Sequence, residues 1–499
     1  MYPFKLFVLF TATLFFTSCV DSPVSGDNDP IPADPTFTDG GGDVPGGTSD
    51  NPSGTTQNIT SEDIALSETQ FQMATAQLES VLSADILNAD LSEANLAYKS
   101  AIEANPNNTK AQFGAATTEL MMINQNETFQ QFADELSVSE GGLFKSRTIP
   151  LKLNSAKIRN VDGVVPMLAS AQAGELPKIS ELQDVVRDEM LPRMVYALDR
   201  LSIIQNDPAF TFNITPQMLG ETEGDTYILD LGEIYVIDAG LRIMRGIMLT
   251  LISYNIDIDD NGSYEWLSSG NDSIAFVNLK RLHQSNTFLT LHDHGAGSMN
   301  SAILNLRQSV TKLQNAADFI SKRTGDQMFN VIKSEYIDDI EYELDGFNGM
   351  NAYTVDQMLD EVSEYLSGPY TVDVMDDISM RINVSAIFEN PIGDLKTKFP
   401  YMKWRNPSDW YTIETDEWGY EYERYEPIDF TDKQGKIIDE EEFPYFPDYT
   451  LGGLYPDMTR AKWIDYIDQI NDLMYTDPIA TDNNYSLSKM SLPFGKALR

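Results

Sequence analysis

The chain has 499 residues, and its 34 Lys and Arg against 77 Asp and Glu give a formal charge of −43 at pH 7. This charge argues against nucleic acids and anionic lipid surfaces as partners, because both are bound through basic surfaces. Hydrophobic residues make up 42% of the chain, enough for a globular core, and the single cysteine excludes an intrachain disulfide.

The N-terminus predicts an exported, lipid-anchored protein. Lys5 precedes an apolar run over Leu6–Phe16, and two small residues then lead to the only cysteine, Cys19. This order resembles the signal sequence of bacterial lipoproteins. The resemblance implies cleavage before Cys19, a lipid on its thiol and a place in the cell envelope, at the periplasmic or surface face of the outer membrane. The alternative is an ordinary signal peptide with an incidental cysteine.

Composition divides the rest of the chain. Residues 1–18 form the predicted signal peptide, and residues 19–60 are rich in Gly, Pro, Asp, Ser and Thr. Such a segment buries too little apolar surface to fold, so we predict a disordered tether. We expect a helical domain over residues 61–368 and an α+β cap over residues 369–499.

One helix of the helical domain has a recognisable pattern. Asp90–Glu93 is typical of an N-cap followed by a glutamate, and Ala94, Tyr98 and Ala101 follow at helical spacing before Pro106. This spacing resembles the second helix of a tetratricopeptide repeat (TPR), and residues 107–116 resemble the start of the next repeat. The resemblance covers about 60 residues and implies a helical scaffold that binds a partner, without a catalytic residue. A single helical hairpin that meets the pattern by chance is the alternative.

Three further segments are predicted from their periodicity. Residues 176–201 have helical spacing, and we expect Pro192 to kink this helix. Two β-like runs between Phe210 and Asp230 predict a small hairpin inserted between helices. Residues 231–254 form a helix that is apolar on most faces, but three charged residues argue against a membrane span: Asp238, Arg242 and Arg245.

The clearest apolar stripe follows Gly295. It predicts a helix packed within a bundle, and its residues are Ile303, Leu306, Val310, Leu313, Ala317 and Ile320. From about residue 370 the pattern changes, since apolar residues alternate over 380–388 and predict a strand. Residues 425–439 suggest a hairpin that closes at Gly435. The predicted fold is therefore mainly α, with TPR-like helical hairpins or an α-α bundle, small β-hairpin insertions and an irregular, aromatic-rich C-terminal cap.

The segment after residue 256 resembles the first half of an EF-hand calcium loop. Oxygen-bearing side chains occupy alternate positions, and the predicted ligands are Asp257, Asp259, Asn261, Ser263 and Glu265. The pattern departs from the loop at its twelfth position, where Ser268 replaces the expected acid. We expect structural Ca²⁺ or a tight turn with solvated acids, and no other cofactor.

Two histidines stand close together at His292 and His294. This spacing is found in metal pairs on strands, but zinc catalysis needs a third protein ligand. Because Gly295-Ala-Gly297 follows, we favour a polar loop over a metal site. His283 has no companion in the sequence and is predicted to be a surface or core residue.

An aromatic group is the remaining candidate site. It is concentrated between residues 404 and 425, and the predicted ligand-binding residues are Trp404, Trp410, Trp418 and Tyr422. Such rings stack on sugars or contact proteins. The alternative is that they pack the cap.

The sequence contains no nucleophile elbow, phosphate loop or dinucleotide fingerprint. We therefore favour a non-enzymatic scaffold of the cell envelope that binds envelope proteins through a helical surface. In size, lipidation and helical type the chain is also similar to SusD-like glycan-binding lipoproteins, which implies nutrient capture as the alternative. A third interpretation is a hydrolase that uses paired carboxylates, which 77 acids make hard to test by sequence.

Overall fold

The structure, a computed structural model, describes most of the chain between residues 59 and 476. The described ranges are 59–84, 89–125, 179–221, 223–257, 280–324, 329–335, 337, 354–375, 378–415, 421–439 and 442–476. Cys19 and the predicted signal peptide and tether up to residue 58 lie outside them. The described part is mainly helical, with small antiparallel two-stranded sheets.

The chain divides into two compact units. Unit 1 comprises residues up to 368 together with 384–396, and unit 2 comprises 369–383 and the residues from 397 onward. The sequence boundary after residue 368 did not anticipate that residues 384–396 belong to unit 1. Each unit is described separately below.

The described part of unit 1 contains helices and one hairpin. Its helices are α1 (Ser61–Ala84), α2 (Ser92–Ala104), α3 (Thr109–Met121), α4 (Ile179–Val185), α5 (Leu191–Ile204), α6 (Leu231–Leu251), α7 (Gly295–Ser321), α8 (Val355–Ser367) and α9 (Val384–Glu389). Strands β1 (Thr211–Ile214) and β2 (Tyr227–Asp230) form the hairpin, which confirms the prediction for this segment.

The predicted helix after Asp90 is confirmed as α2. The helix ends two residues before Pro106, but its N-cap is Leu91 rather than the predicted Asp90, which accepts a hydrogen bond from the Ser92 amide at 3.0 Å. The patterned residues form its inner face, since Tyr98 is completely buried and Ala94 and Ala101 are 2% and 0% exposed. α1, α2 and α3 pack against each other in sequence order.

Pro192 changes the helix in which it lies. A π-helical segment, Val186–Met190, separates α4 from α5, and the Leu191 amide donates to the Val186 carbonyl five residues back. Proline has no N–H, and its ring would crowd the carbonyl of residue 188 in a regular α-helix. The wider π turn removes that conflict, so the predicted kink takes the form of a π segment.

The long helices α6 and α7 pack along their length and confirm the predictions for both segments. Asp230 caps α6 through a capping box with Glu233. The apolar stripe of α7 faces the core, where Ile303 and Ile320 are each 1% exposed. No helix in the described ranges is long and apolar enough to cross a membrane.

Unit 2 has three small sheets and one helix in its described part. Its elements are β3 (Tyr370–Met375), β4 (Ile378–Ile382), β5 (Met402–Trp404), β6 (Tyr411–Thr415), β7 (Glu421–Tyr425), β8 (Ile428–Phe430) and α10 (Arg460–Thr476). The pairs are β3–β4, β5–β8 and β6–β7, all antiparallel.

Two predictions near these strands need correction. The strand predicted over 380–388 ends at Ile382, and α9 begins at Val384. Ser385 and Ala386 are both buried, so adjacent rather than alternate residues face the core, as packing against α7 in unit 1 requires. Gly435 closes a turn with φ of 79°, and an antiparallel bridge pairs Thr431 with Ile437 across it, but β8 pairs as a strand with β5.

Candidate functional site

A charged surface crosses three helices of unit 1. Glu119 on α3 accepts from Lys99 on α2 at 2.8 Å and from Arg193 on α5 at 2.7 Å. The Glu119 side chain is 12% exposed, whereas Lys99 and Arg193 are 37% and 27% exposed. A single half-buried carboxylate therefore joins the two flanking helices across α3.

Tyr196 lies beside this ion pair, one turn after Arg193. Lys99 Nζ and Arg200 Cζ are each 4.9 Å from the centroid of its ring, a distance typical of cation–π contacts. Burial raises the pKa of Tyr196, Arg200 lowers it, and Glu119 and Glu103 raise it. The phenol is therefore neutral at physiological pH and offers an aromatic face and a hydroxyl group.

Arg200 extends the surface by one more turn of α5. Its Nη1 donates to Gln112 Oε1 at 3.2 Å, and the buried Gln112 donates in turn to the Pro106 carbonyl at 2.8 Å. Arg200 Nε is buried and has no hydrogen-bond partner among the described residues. We use the name three-helix surface for Lys99, Glu119, Arg193, Tyr196 and Arg200.

An apolar side chain borders the three-helix surface. Leu96 lies one turn before Lys99 on α2 and is 66% exposed. An arrangement of tyrosine, arginine and an exposed aliphatic group is typical of protein-binding surfaces, where tyrosine and arginine are enriched among the residues that dominate affinity.

Packing beneath the surface fixes the positions of α2 and α3. The buried Asn95 donates to Thr118 Oγ1 at 2.9 Å, and this bond sets the register of the two helices. Gly114 allows the ring of Tyr98 to approach α3, because a Cβ at Gly114 would lie 2.3 Å from Tyr98 Cε1. Lys99 and Glu119 each lie within five residues of these contacts, so the core places them side by side.

The sequence predictions did not include the three-helix surface. The spacing of Arg193, Tyr196 and Arg200 places all three on one helix face, which was an available signal. The contributions of Lys99 and Glu119 depend on how α2 and α3 pack and have no sequence signature.

The predicted calcium ligands are only partly described. Asp257 Oδ1 accepts from the Ser180 amide at 3.0 Å, so this carboxylate caps the first turn of α4. The other predicted ligands, Asp259, Asn261, Ser263 and Glu265, lie outside the described residues, and calcium binding stays a prediction. Among the described residues, no group of three or more His, Cys, Asp and Glu is arranged to hold a metal.

The structure brings Asp257 near the two neighbouring histidines. The rings of His292 and His294 stack at 5.3 Å, and His294 Nε2 lies 2.9 Å from the Ile252 carbonyl oxygen. Burial lowers the pKa of His292, and His294 and Arg187 lower it further, against Asp184 and Asp257. The two histidines directly precede α7, and Arg187 of the π segment acts on His292 electrostatically. Burial also lowers the pKa of His283.

The aromatic candidates differ in position. Trp410 is 1% exposed and donates its indole N–H to the Arg405 carbonyl at 3.1 Å, so its ring packs inside unit 2. Trp404 lies on β5 and is half-buried, and Tyr422 lies on β7 opposite Glu414. Trp418 lies outside the described residues. Ligand binding by this group stays a prediction.

The described contacts of the three-helix surface are those of non-covalent recognition: a neutral phenol ring, a guanidinium group that stacks on it and a bridging carboxylate. Comparisons of the chain with protein-family models, with curated proteins and with solved structures find no match.

Proposed function

We propose that this protein is a non-enzymatic, lipid-anchored binding protein of the bacterial cell envelope that recognises a protein partner through the three-helix surface. The observation that carries the proposal is the placement of Lys99 and Arg200 over the ring of Tyr196, beside the Arg193–Glu119 ion pair and exposed Leu96. Aromatic and guanidinium groups beside exposed aliphatic side chains are the usual anchors of protein interfaces.

The scaffold we propose for this surface is TPR-like. The buried Ala94, Tyr98 and Ala101 and the sequential packing of α1, α2 and α3 support this arrangement. Stacked helical hairpins produce extended surfaces that bind partners without catalytic residues.

The proposed anchor is the lipid on Cys19, with residues 20–60 as a tether. Its support is the sequence: a basic residue, an apolar run and small residues before the only cysteine. We expect Cys19→Ser to move the protein from the membrane fraction to the soluble fraction after cell lysis. Retention of the Cys19→Ser protein in carbonate-washed membranes would contradict the lipid anchor.

Capture of the partner tests the binding function. Cells that express tagged protein are cross-linked, the membranes are gently solubilised, and the captured proteins are compared between Leu96→Asp and Leu304→Asp. Both leucines are exposed, at 66% and 53%, and both substitutions add one negative charge to unit 1. We expect Leu96→Asp to abolish the capture of a specific partner and Leu304→Asp to retain it, because only Leu96 borders the three-helix surface.

Equal recovery of the same partner by both variants would contradict this function. Circular dichroism and thermal melting of both variants check that each remains folded, so a loss of capture can be assigned to the surface.

A further inference from the structure

We propose that one exposed face of the α1–α2 pair binds a basic segment of the same chain, residues 144–160. The name outer face is used for the residues of α1 and of the start of α2 that form it, which are Leu66, Met73, Gln77, Val81, Asp90 and Glu93. None of them belongs to the three-helix surface, so this inference goes beyond the proposed function and does not depend on it.

The two helices leave a groove on the outer face. The groove has a volume of about 350 Å³ and lies between Gln77 and Val81 on α1 and Glu93 and Ala94 on α2. No residue outside 77–94 lines it, so the other described elements leave it open. The contact of α2 with α3 comes from a different side of the helix, where Asn95 donates to α3.

Large apolar side chains extend the outer face along α1. Leu66 and Met73 are 51% and 56% exposed, and they lie two helical turns apart on one side of the helix. Gln77 follows Met73 by one more turn and leads into the groove. Exposed apolar residues that share a helix face form a contact surface for another segment, and methionine adapts its shape to what it contacts.

The outer face is also acidic. α1 contains four acidic residues and no basic one, and the carboxylates of Asp90 and Glu93 line the groove. Exposed large apolar side chains also lie on α2, α5, α6 and α7, but each of these helices contains at least one lysine or arginine. Among the described helices with such side chains, α1 is therefore the best suited to a segment that is both basic and apolar.

Residues 144–160, which lie outside the described ranges, have this chemistry. The segment has no acidic residue although the chain has more than twice as many acids as bases. Its five basic residues are Lys145, Arg147, Lys152, Lys157 and Arg159, and its large apolar residues are Phe144, Ile149, Leu151, Leu153 and Ile158. The segment therefore complements both the charge and the apolar character of the outer face.

The length of chain on each side allows this contact. Residues 126–143 join the segment to the end of the helix-rich stretch at Gln125, and residues 161–178 join it to α4. Eighteen extended residues span up to about 60 Å. Packed helices lie about 8–10 Å apart, so both connections are long enough to cross α3 and α2.

Two other occupants fit the outer face less well. A second copy of the chain would bring two acidic faces together, and like charges repel. Residues 485–499 also lack acids, but they contain three basic residues against five in residues 144–160, and they belong to unit 2. The balance of charge thus favours residues 144–160.

Photo-cross-linking in cells identifies what covers the outer face. p-Benzoylphenylalanine replaces Met73 in the full-length protein or, as the matched control, Leu304 on α7, which is 53% exposed and lies one turn from Arg307. After irradiation the protein is purified and digested, and the cross-linked peptides are identified by mass spectrometry. We expect position 73 to cross-link to a peptide from residues 144–160 of the same chain, and position 304 not to do so.

Each other result at position 73 would overturn the inference. A product of twice the mass on a denaturing gel would assign the outer face to a second copy, and a product with another protein would assign it to a partner. A cross-link to residues 485–499, or the absence of any cross-link, would also contradict it.

The purified full-length protein tests the role of charge. Lys152→Glu combined with Lys157→Glu should reduce the cross-link from position 73 at least about threefold, because two attractions between exposed charges become repulsions. Lys489→Glu combined with Lys496→Glu changes the net charge equally and should leave the yield unchanged. NaCl at about 300 mM should also reduce the yield relative to about 20 mM, since salt screens exposed charges. Equal yields from all these proteins at both salt concentrations would overturn the assignment of this segment.

Discussion

Gly114 lies where α3 passes the buried ring of Tyr98, and its missing side chain decides how close the two can come. A Cβ there would lie 2.3 Å from Tyr98 Cε1, and Tyr98 is completely buried. We expect Gly114→Ala to lower the free energy of unfolding by about 1–3 kcal/mol through overpacking, as measured by urea denaturation.

The matched control for this prediction is Gly297→Ala in the first turn of α7. A Cβ at Gly297 meets nothing within 4 Å, so alanine should leave stability unchanged or raise it by up to about 1 kcal/mol through helix propensity. If both alanine variants have equal stability, the close approach of Tyr98 does not limit the packing of α3.

The buried carboxyl group of Glu233 should make the stability of the protein depend on pH. Its side chain is completely buried and contacts Arg323, and the Ile332 amide donates to it at 3.0 Å. Burial raises the pKa of Glu233 from 4.5 to about 7; Arg323 opposes this shift and Asp230 adds to it. Between these two values the folded state holds a proton that the unfolded state has released, so this group makes stability fall as pH rises from about 4.5 to 7.

We therefore expect Glu233→Gln to remove part of that decline. Urea unfolding at several pH values between about 5 and 8 measures the slope of stability against pH. The control Glu68→Gln, on the exposed side of α1, should keep the wild-type slope. Parallel slopes for wild type and both variants would show that Glu233 does not titrate in this range.

At the scale of single elements, α8 depends on a capping box. Thr354 accepts from the Gln357 amide at 3.2 Å, and the Gln357 side chain accepts from the Thr354 amide at 3.0 Å. We expect Thr354→Ala to destabilise the protein by about 1 kcal/mol, because the Gln357 amide loses the side-chain oxygen that accepts its hydrogen bond. Thr311→Ala in the exposed middle of α7 is the control, and thermal melting should show no loss of stability for it.

Some of these elements could be predicted from the sequence and others could not. α2, α6 and α7 were predicted because their apolar spacing has the helical period over several turns. Local signals failed over residues 380–388, where only six residues form α9 and packing against α7 sets which side chains are buried. A pattern this short fits either a strand or a helix.

The candidate surface could be predicted from the sequence only in part. Arg193, Tyr196 and Arg200 share one helix and have a readable spacing. Lys99 and Glu119 join them only because Asn95 and Gly114 fix the packing of α2 on α3. Contacts between helices far apart in the sequence are set by shape and burial, which a single sequence does not encode in its spacing.

For the molecule as a whole, the charge of −43 predicts a strong effect of salt on stability. Self-repulsion destabilises the compact state, and ions screen it. We expect the melting temperature to rise as NaCl increases from about 10 to 300 mM, a range over which the Debye length falls from about 30 Å to less than 8 Å. A melting temperature that stays constant over this range would contradict a role for self-repulsion.

A comparison of calcium and sodium salts distinguishes general screening of charge from binding of calcium at a specific site. At equal ionic strength, CaCl₂ and NaCl should raise the melting temperature by similar amounts if only screening acts. A larger effect of CaCl₂ that Asp259→Asn reduces would support the predicted calcium loop, which begins at Asp257. A calcium effect that is independent of this substitution would assign it to other acids of the chain.

The return of residues 384–396 to unit 1 limits how this protein can be divided. A fragment that stops at residue 368 would lack the carboxylate of Glu389, which pairs with Arg307, and the Gly393 carbonyl, which accepts from the Leu291 amide. Unit 1 is therefore not a contiguous gene segment, and its isolation requires residues 369–383 to be replaced by a short linker. By the same topology, one protease cut between residues 369 and 383 would leave both fragments with residues of unit 2, so limited proteolysis at that point would nick the protein without releasing either unit intact.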